Sequence, residues 1–346
     1  MADLDAEKAE AELRALLALA VDQRDRAAEL DARMRLGALQ VATGDAAAAL
    51  EMVAAGQALL DEGVGDALAA GRLWYVAGQA RARAGGDALA AFEEAVRRFR
   101  AAGSRVDALR ARLRVVETLQ AQRRIEAAVV ELSGMIGDLK SWGADRGLAD
   151  CHRMRAGLHA LMARFDEASA DYDRAVAAAE RLGDAALALR LRIERRTVAP
   201  LGERSAARWE DWSALIADAE ALGEAGAVGE VRLQQAASAL RRDDFEAGLA
   251  LAAAARQAAL DGNQPVAYLM ACLLIAEARM LRGAAGDDPA VIEVLLTCKV
   301  SLERRFGEAF GAPVVAVLDS LAPRWGEARF DAALAEYRRR AAARAG

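Results

Sequence analysis

Apolar residues recur along this chain at intervals of three and four rather than two, in runs of helical length that are closed by glycine or by a charged pair. That spacing gathers them on one face of an α-helix, whereas the strict alternation of a half-buried strand is nearly absent. The stops are regular. Amphipathic runs end at Gly63, Gly103, Gly143, Gly183, Gly223 and Gly262, with successive differences of 40, 40, 40, 40 and 39. Each glycine stands where a helix C-terminus favours a residue able to adopt the left-handed conformation, as in Glu180-Arg181-Leu182-Gly183. The period therefore predicts one pair of helices per forty residues.

A second break lies inside each unit, near Gly44-Asp45, Gly85-Gly86-Asp87, Arg123-Arg124, Arg164-Phe165 and Asp243-Asp244. Downstream helices share a spacing of small, larger apolar and small residues: Ala49, Val53, Gly56; Ala88, Phe92, Ala95; Ala168, Tyr172, Ala175. In the upstream helices small residues at Gly37, Gly78, Gly157 and Ala236 predict points where two helices cross closely. Trp74 and Trp212 fall at positions expected to be core.

On these residues the chain resembles the tetratricopeptide repeats, in the longer forty-residue form of bacterial regulators and scaffolds. Trp74 with Gly78, Leu36-Gly37, the turn and helix start Phe165-Asp166-Glu167-Ala168, and Tyr172 with Ala175 match the signature positions of the family's two helices. Glu117 and Thr197 depart from it where a small crossing residue is expected, and glycine replaces the family's closing proline. The resemblance implies an all-α, right-handed superhelical solenoid of helix pairs, with a concave surface that binds proteins or peptides.

The expected organisation is a single solenoid over residues 1–346. It comprises an N-terminal capping helix at 5–22, six regular repeats over 24–262 and two divergent repeats over 263–346. Register stretches after Gly262, where the loop from Gly283 to Pro289 reads Asp288 as a helix cap followed by Pro at the first helical position. The last repeat starts at Pro313, and Phe330-Asp331-Ala332-Ala333 with Tyr337 echoes the fourth.

Composition agrees with helices: Ala is roughly a quarter of the 346 residues, Pro only 5, aromatics 5%. Lys plus Arg is 46 against Asp plus Glu 52, a net charge of −6 that gives no overall basic footprint for nucleic acid. The acidic N-terminus lacks the apolar segment of a secretory signal, and the longest apolar run, Val266 to Ala276, is too short to cross a bilayer. Cys151, Cys272 and Cys298 suit reduced thiols better than a disulfide framework, so a cytoplasmic location is expected, with no membrane insertion.

Catalytic chemistry finds few candidates. His152 and His159 lie seven apart on one predicted helix, about 10 Å along its axis, too far for one metal to bridge unless their side chains converge, and the nearby Cys151 points elsewhere on the helix. The acidic pairs Asp243-Asp244 and Asp287-Asp288 read as helix caps, and the run Arg338-Arg339-Arg340 as a complement to a helix dipole. No strand is present to hold a glycine-rich phosphate loop. Neither a cofactor nor a metal is expected, and an enzyme is the remote reading. Trp142 and Trp209 are the aromatics not readily placed inside, and either could anchor a partner at a solenoid edge.

Arginine is concentrated in the upstream helices: Arg110, Arg112, Arg114; Arg153, Arg155; Arg190, Arg192, Arg195, Arg196. Stacked repeats set such residues side by side, which would make a partly basic groove for an acidic peptide or a C-terminal carboxylate. The plainer alternative is solvated pairing within helices, Arg114 with Glu117 and Arg190 with Glu194. The candidate partner-binding residues are Tyr75, Gln79, Arg114, Arg153, Arg155, Arg192 and Gln235. The expected role is a non-catalytic scaffold or adaptor, with a peptide- or ligand-sensing regulator of a separate effector as the second reading.

Overall fold

A computed structural model describes residues 2–198 and 209–345 of the chain. The described residues are α-helices in tandem, one short 3-10 turn apart, and contain no strand. By internal packing the chain forms two compact units, Met1–Leu158 and His159–Gly346, taken here in turn.

The first unit holds α1 (Ala2–Asp22), α2 (Arg26–Thr43), α3 (Ala46–Asp61), α4 (Ala67–Arg83), α5 (Leu89–Ala101), α6 (Arg105–Ala121), α7 (Ile125–Trp142) and most of α8 (Asp145–Leu161). From α1 to α7 each helix packs on the next, and α2 also touches α4, so alternate helices lie side by side. Leu30, Met34, Leu59 and Leu73 fill one layer; Val41, Ala49, Val76 and Ala80 fill another. Gly78 is the tightest crossing expected from sequence: a Cβ there would lie 2.5 Å from the Phe92 ring. Gly157 is different, with nothing within 4 Å of such a Cβ, while its neighbour Ala156 is fully buried. The expected crossing at Gly157 is thus displaced by one residue, and one residue turns a helix by about 100°.

The second unit holds α9 (Phe165–Arg181), α10 (Ala185–Val198), α11 (Trp209–Ala221), α12 (Ala225–Leu240), α13 (Phe245–Asp261), α14 (Pro265–Arg282), α15 (Asp287–Phe306), the 3-10 turn Glu308–Gly311, α16 (Ala312–Trp325) and α17 (Glu327–Ala345). Trp212 is buried with Leu189, Ile193, Leu215 and Val231. Tyr268, Cys272, Val291, Leu295, Cys298 and Leu321 form the C-terminal core. Trp74, by contrast with its expected core place, is half-buried with the Arg81 guanidinium 5.9 Å from its ring centroid.

Gly63, Gly103, Gly143, Gly183 and Gly223 all carry positive φ, but Gly262 does not; Asn263 takes the left-handed state, at φ 54°. Gly262 is small for another reason, since a Cβ would meet the Gly226 backbone nitrogen at 2.9 Å. Of the intervening breaks, the first two use glycine, Gly44 (φ 96°) and Gly85 (φ 72°), and three use the same state without it: Arg123 (φ 60°), Ala163 (φ 57°) and Asp243 (φ 58°). From Gly103 to Gly283 a left-handed residue stands at every twentieth position among the described residues, position 203 lying outside them. After the turn an aspartate often caps the next helix: Asp25, Asp45, Asp66, Asp184 and Asp244 accept from the backbone N–H three residues on.

Asp288 does not cap. Gly286, at φ 86°, precedes α15, and Asp287 and Asp288 occupy its first turn. Asp287 is buried and accepts from Arg282, Arg279 and the Ala284 N–H, while Asp288 pairs with Arg329 on α17. The physical reason is that arginines claim both carboxylates, the upstream Arg279 and Arg282 that of Asp287 and the downstream Arg329 that of Asp288.

Candidate functional site

Residues 72, 75, 76, 79 and 83 of α4 follow the offsets 0, 3, 4, 7 and 11, which fall within about 100° of one helix face. That face opens onto two adjoining cavities in the first unit. One, of about 410 Å³, is lined by Arg72, Tyr75, Val76 and Gln79 together with Asp31, Met34 and Arg35 of α2 and Asp107 and Arg110 of α6. The other, of about 690 Å³, is lined by Gln79 and Arg83 with Val41 of α2, Phe92 of α5, and Arg114 and Glu117 of α6. Ala38 and Gln79 line both, so the two run together. Met34, Val76 and Phe92 are buried and make the floor apolar.

Three of the sequence candidates, Tyr75, Gln79 and Arg114, meet here. Arg114 Nε donates to the Tyr75 hydroxyl at 3.3 Å and its Nη1 to Glu117 at 2.6 Å. These bonds, Tyr75 first, raise the pKa of an already permanent cation. Tyr75 is itself braced by Phe92, with ring centroids 5.8 Å apart at 62°. The plainer pairing of Arg114 with Glu117 is therefore present, yet it leaves Arg114 on the cavity wall.

The other candidates lie elsewhere. Arg155 donates to the Ser133 hydroxyl on α7 at 2.8 Å. Arg153 is exposed on α8. Arg192 belongs to the second unit and is shared between Glu180 at 2.6 Å and Asp218 at 3.4 Å. Gln235, expected to be accessible, is only 4% exposed and offers a ligand no surface. Arg112, counted among the groove arginines, is also buried: its guanidinium pairs with Glu131, Asp138 and the Glu131 carbonyl. It sits two residues from Arg110 and Arg114, about 200° around the helix, and so points away from them.

Sequence reasoning passed over Arg72 and Arg83. Neither has an ion pair or hydrogen bond among the described residues, whereas the lining cations Arg35, Arg110 and Arg114 each have a carboxylate, Asp31, Asp107 and Glu117. Their place at offsets 0 and 11 of the α4 stripe was readable; that their neighbours would be paired off was not.

Trp142 is half-buried with the Arg105 guanidinium 5.2 Å from its ring centroid, beside a smaller cavity of about 270 Å³. The Trp209 and Thr197 side chains lie outside the described residues. His152 is buried; His159 Nε2 stands 3.7 Å from Asp171, which also takes a hydrogen bond from Arg174. No group of three or more His, Cys, Asp or Glu is placed to hold a metal among the described residues. Burial pushes the Cys151 thiol up to about 11, which leaves it protonated at neutral pH. No helix of the described residues is long and apolar enough to cross a membrane.

No family model matches the chain, and no curated protein matches it in sequence. Solved structures do match it in fold. One is a signal transduction ATPase with numerous domains and a tetratricopeptide repeat sensor from Pyrococcus horikoshii, similar over 91% of this chain at a TM-score of 0.53 and 12% identity. The match covers 50% of that protein, so this chain spans about half its length. Another is BtubC (BKLC) from P. vanneervenii, at a TM-score of 0.51 and 10% identity over 62% of this chain and 91% of that one. With its tandem antiparallel helices, regular turns and matching signature residues, the chain has the tetratricopeptide-type helical-repeat fold.

Proposed function

We propose that this protein is a non-catalytic scaffold or adaptor that binds a protein or peptide along the α2–α4–α6 face of its first unit. The observation that carries this reading is the pair of adjoining cavities along α4, apolar at the floor and ringed by arginine, tyrosine and glutamine. An apolar floor supplies area-dependent attraction, and the polar rim supplies orientation. The partner is one with an acidic segment or a C-terminal carboxylate, matched to the planar donor forks of arginine. The buried thiols support a reducing compartment, the cytoplasm, as its place of action. A sensing role is the second reading, favoured by the tetratricopeptide repeat sensor of the Pyrococcus horikoshii protein.

The test is site-specific photo-crosslinking in the native organism, with a benzophenone side chain at Gln79 and, as control, at the exposed Arg97 on α5. A discrete adduct from position 79 and none from 97 supports the groove. Adducts from both positions alike, or from neither, overturn it.

A further inference from the structure

The two cavities are alike in one respect. The first is lined by Arg35, Arg72 and Arg110 against Asp31 and Asp107, the second by Arg83 and Arg114 against Glu117. Each therefore holds one arginine more than it has carboxylates, and in each the arginine left over is on α4, Arg72 in one and Arg83 in the other. Both are exposed, eleven residues apart on the same helix face. At 1.5 Å per residue their Cα atoms stand about 16 Å apart along the axis. Gln79 lies between them, where the cavities join. A side-chain amide has one acceptor and two donors, the complement of a peptide main chain.

We propose, building on the groove reading, that the ligand is an extended peptide bearing two side-chain carboxylates four or six residues apart, one held by Arg72 and the other by Arg83, with its middle over Gln79 and the apolar floor. In an extended chain side chains alternate, so only even spacings aim both carboxylates at α4. A spacing of two spans about 7 Å and falls short. Four spans about 13 Å and six about 20 Å, on either side of the roughly 16 Å separation, and the reach of the arginine and glutamate side chains closes the remaining few ångströms in both cases. A helical ligand would need its carboxylates eleven residues apart.

Full-length protein is titrated against fluorescein-labelled, end-capped peptides of equal composition in which two Glu residues flank Val-Thr-Val, or stand two, six or eleven residues apart, with anisotropy as the readout at near-physiological salt. The expected result is at least tenfold tighter binding at spacing four or six than at two or eleven, and an equal loss when either Glu is replaced by Gln. Arg72→Gln and Arg83→Gln, which remove no hydrogen bond or ion pair among the described residues, each bring the two-Glu peptide down to the single-Glu level. In Arg83→Gln one particular Glu→Gln replacement has no further effect, and in Arg72→Gln it is the other. Affinity independent of spacing, a maximum at eleven, or no binding by any peptide overturns the two-carboxylate rule. The crosslink at Gln79 is independent of peptide choice, so the groove reading can survive that failure, while loss of the crosslink removes both.

Discussion

Ala163 holds φ at 57°, where an L-residue other than asparagine or aspartate is held at a cost of about 1–2 kcal/mol and glycine at almost none. Glycine gains unfolded entropy in return, so Ala163→Gly should raise stability by roughly 0.5–1 kcal/mol in urea unfolding, and Gly143→Ala should lower it by about 1 kcal/mol. Two helical glycines separate in the same manner. Gly78→Ala drives a methyl to 2.5 Å from the Phe92 ring and is expected to cost about 1–3 kcal/mol. Gly157→Ala meets nothing within 4 Å and should gain about 0.5–1 kcal/mol from helix propensity. Comparable losses at both sites in a melting experiment would show that the displaced crossing at Gly157 is wrong. Sequence alone presents two glycines in equivalent places; only the rotation of each helix distinguishes them.

Among the elements, the loop between α14 and α15 carries the clearest dependence on pH. The hydrogen bond from Arg282 holds the Asp287 carboxyl below the usual carboxylate range, with the Ala284 N–H and Arg279 adding to it. A carboxylate depressed in the folded state contributes stability that is complete above its unfolded pKa of about 4 and is lost as pH falls through its lower folded value. The melting temperature of the wild type should therefore drop between about pH 4 and pH 2 more than that of Asp287→Asn. Near pH 7 that substitution should itself cost about 1–2 kcal/mol, less than a fully buried pair because Arg279 and Arg282 are 30% and 32% exposed. A parallel decline in both proteins would remove Asp287 from the acid response. In sequence Asp287-Asp288 looks like Asp243-Asp244, and the resemblance misleads. Asp244 caps its own helix, whereas Asp287 is taken by arginines five and eight residues upstream, an arrangement that exists only once the loop has folded back. Helices and their period were legible because one repeated face must be buried in every unit. Arg114 and Tyr75 were legible as members of one groove, but the burial of Arg112 and Gln235 was not, since each depended on a rotation of one or two residues.

For the molecule as a whole, repeats that contact mainly their neighbours make stability a local sum. Hydrogen exchange of Gly78→Ala is expected to show faster exchange in α4 and α5, with α12 to α15 unchanged; uniform acceleration would mean that the chain opens as one. The three cysteines are buried, and they should resist a thiol reagent in the native state and all titrate in denaturant. Those expectations treat the protein as a stack, and the turns describe the same object as a string. The twenty-residue spacing of left-handed residues between Gly103 and Gly283, among the described residues, means that the segment from Glu224 to Asn263 starts just after one such residue, Gly223, and ends on another. Copies of that segment joined head to tail meet at a junction the chain already uses, with the same backbone state and the same phase. The turns between Gly103 and Gly283 are thus splice points, at which the protein should lengthen or shorten in blocks of forty residues without inventing a new joint.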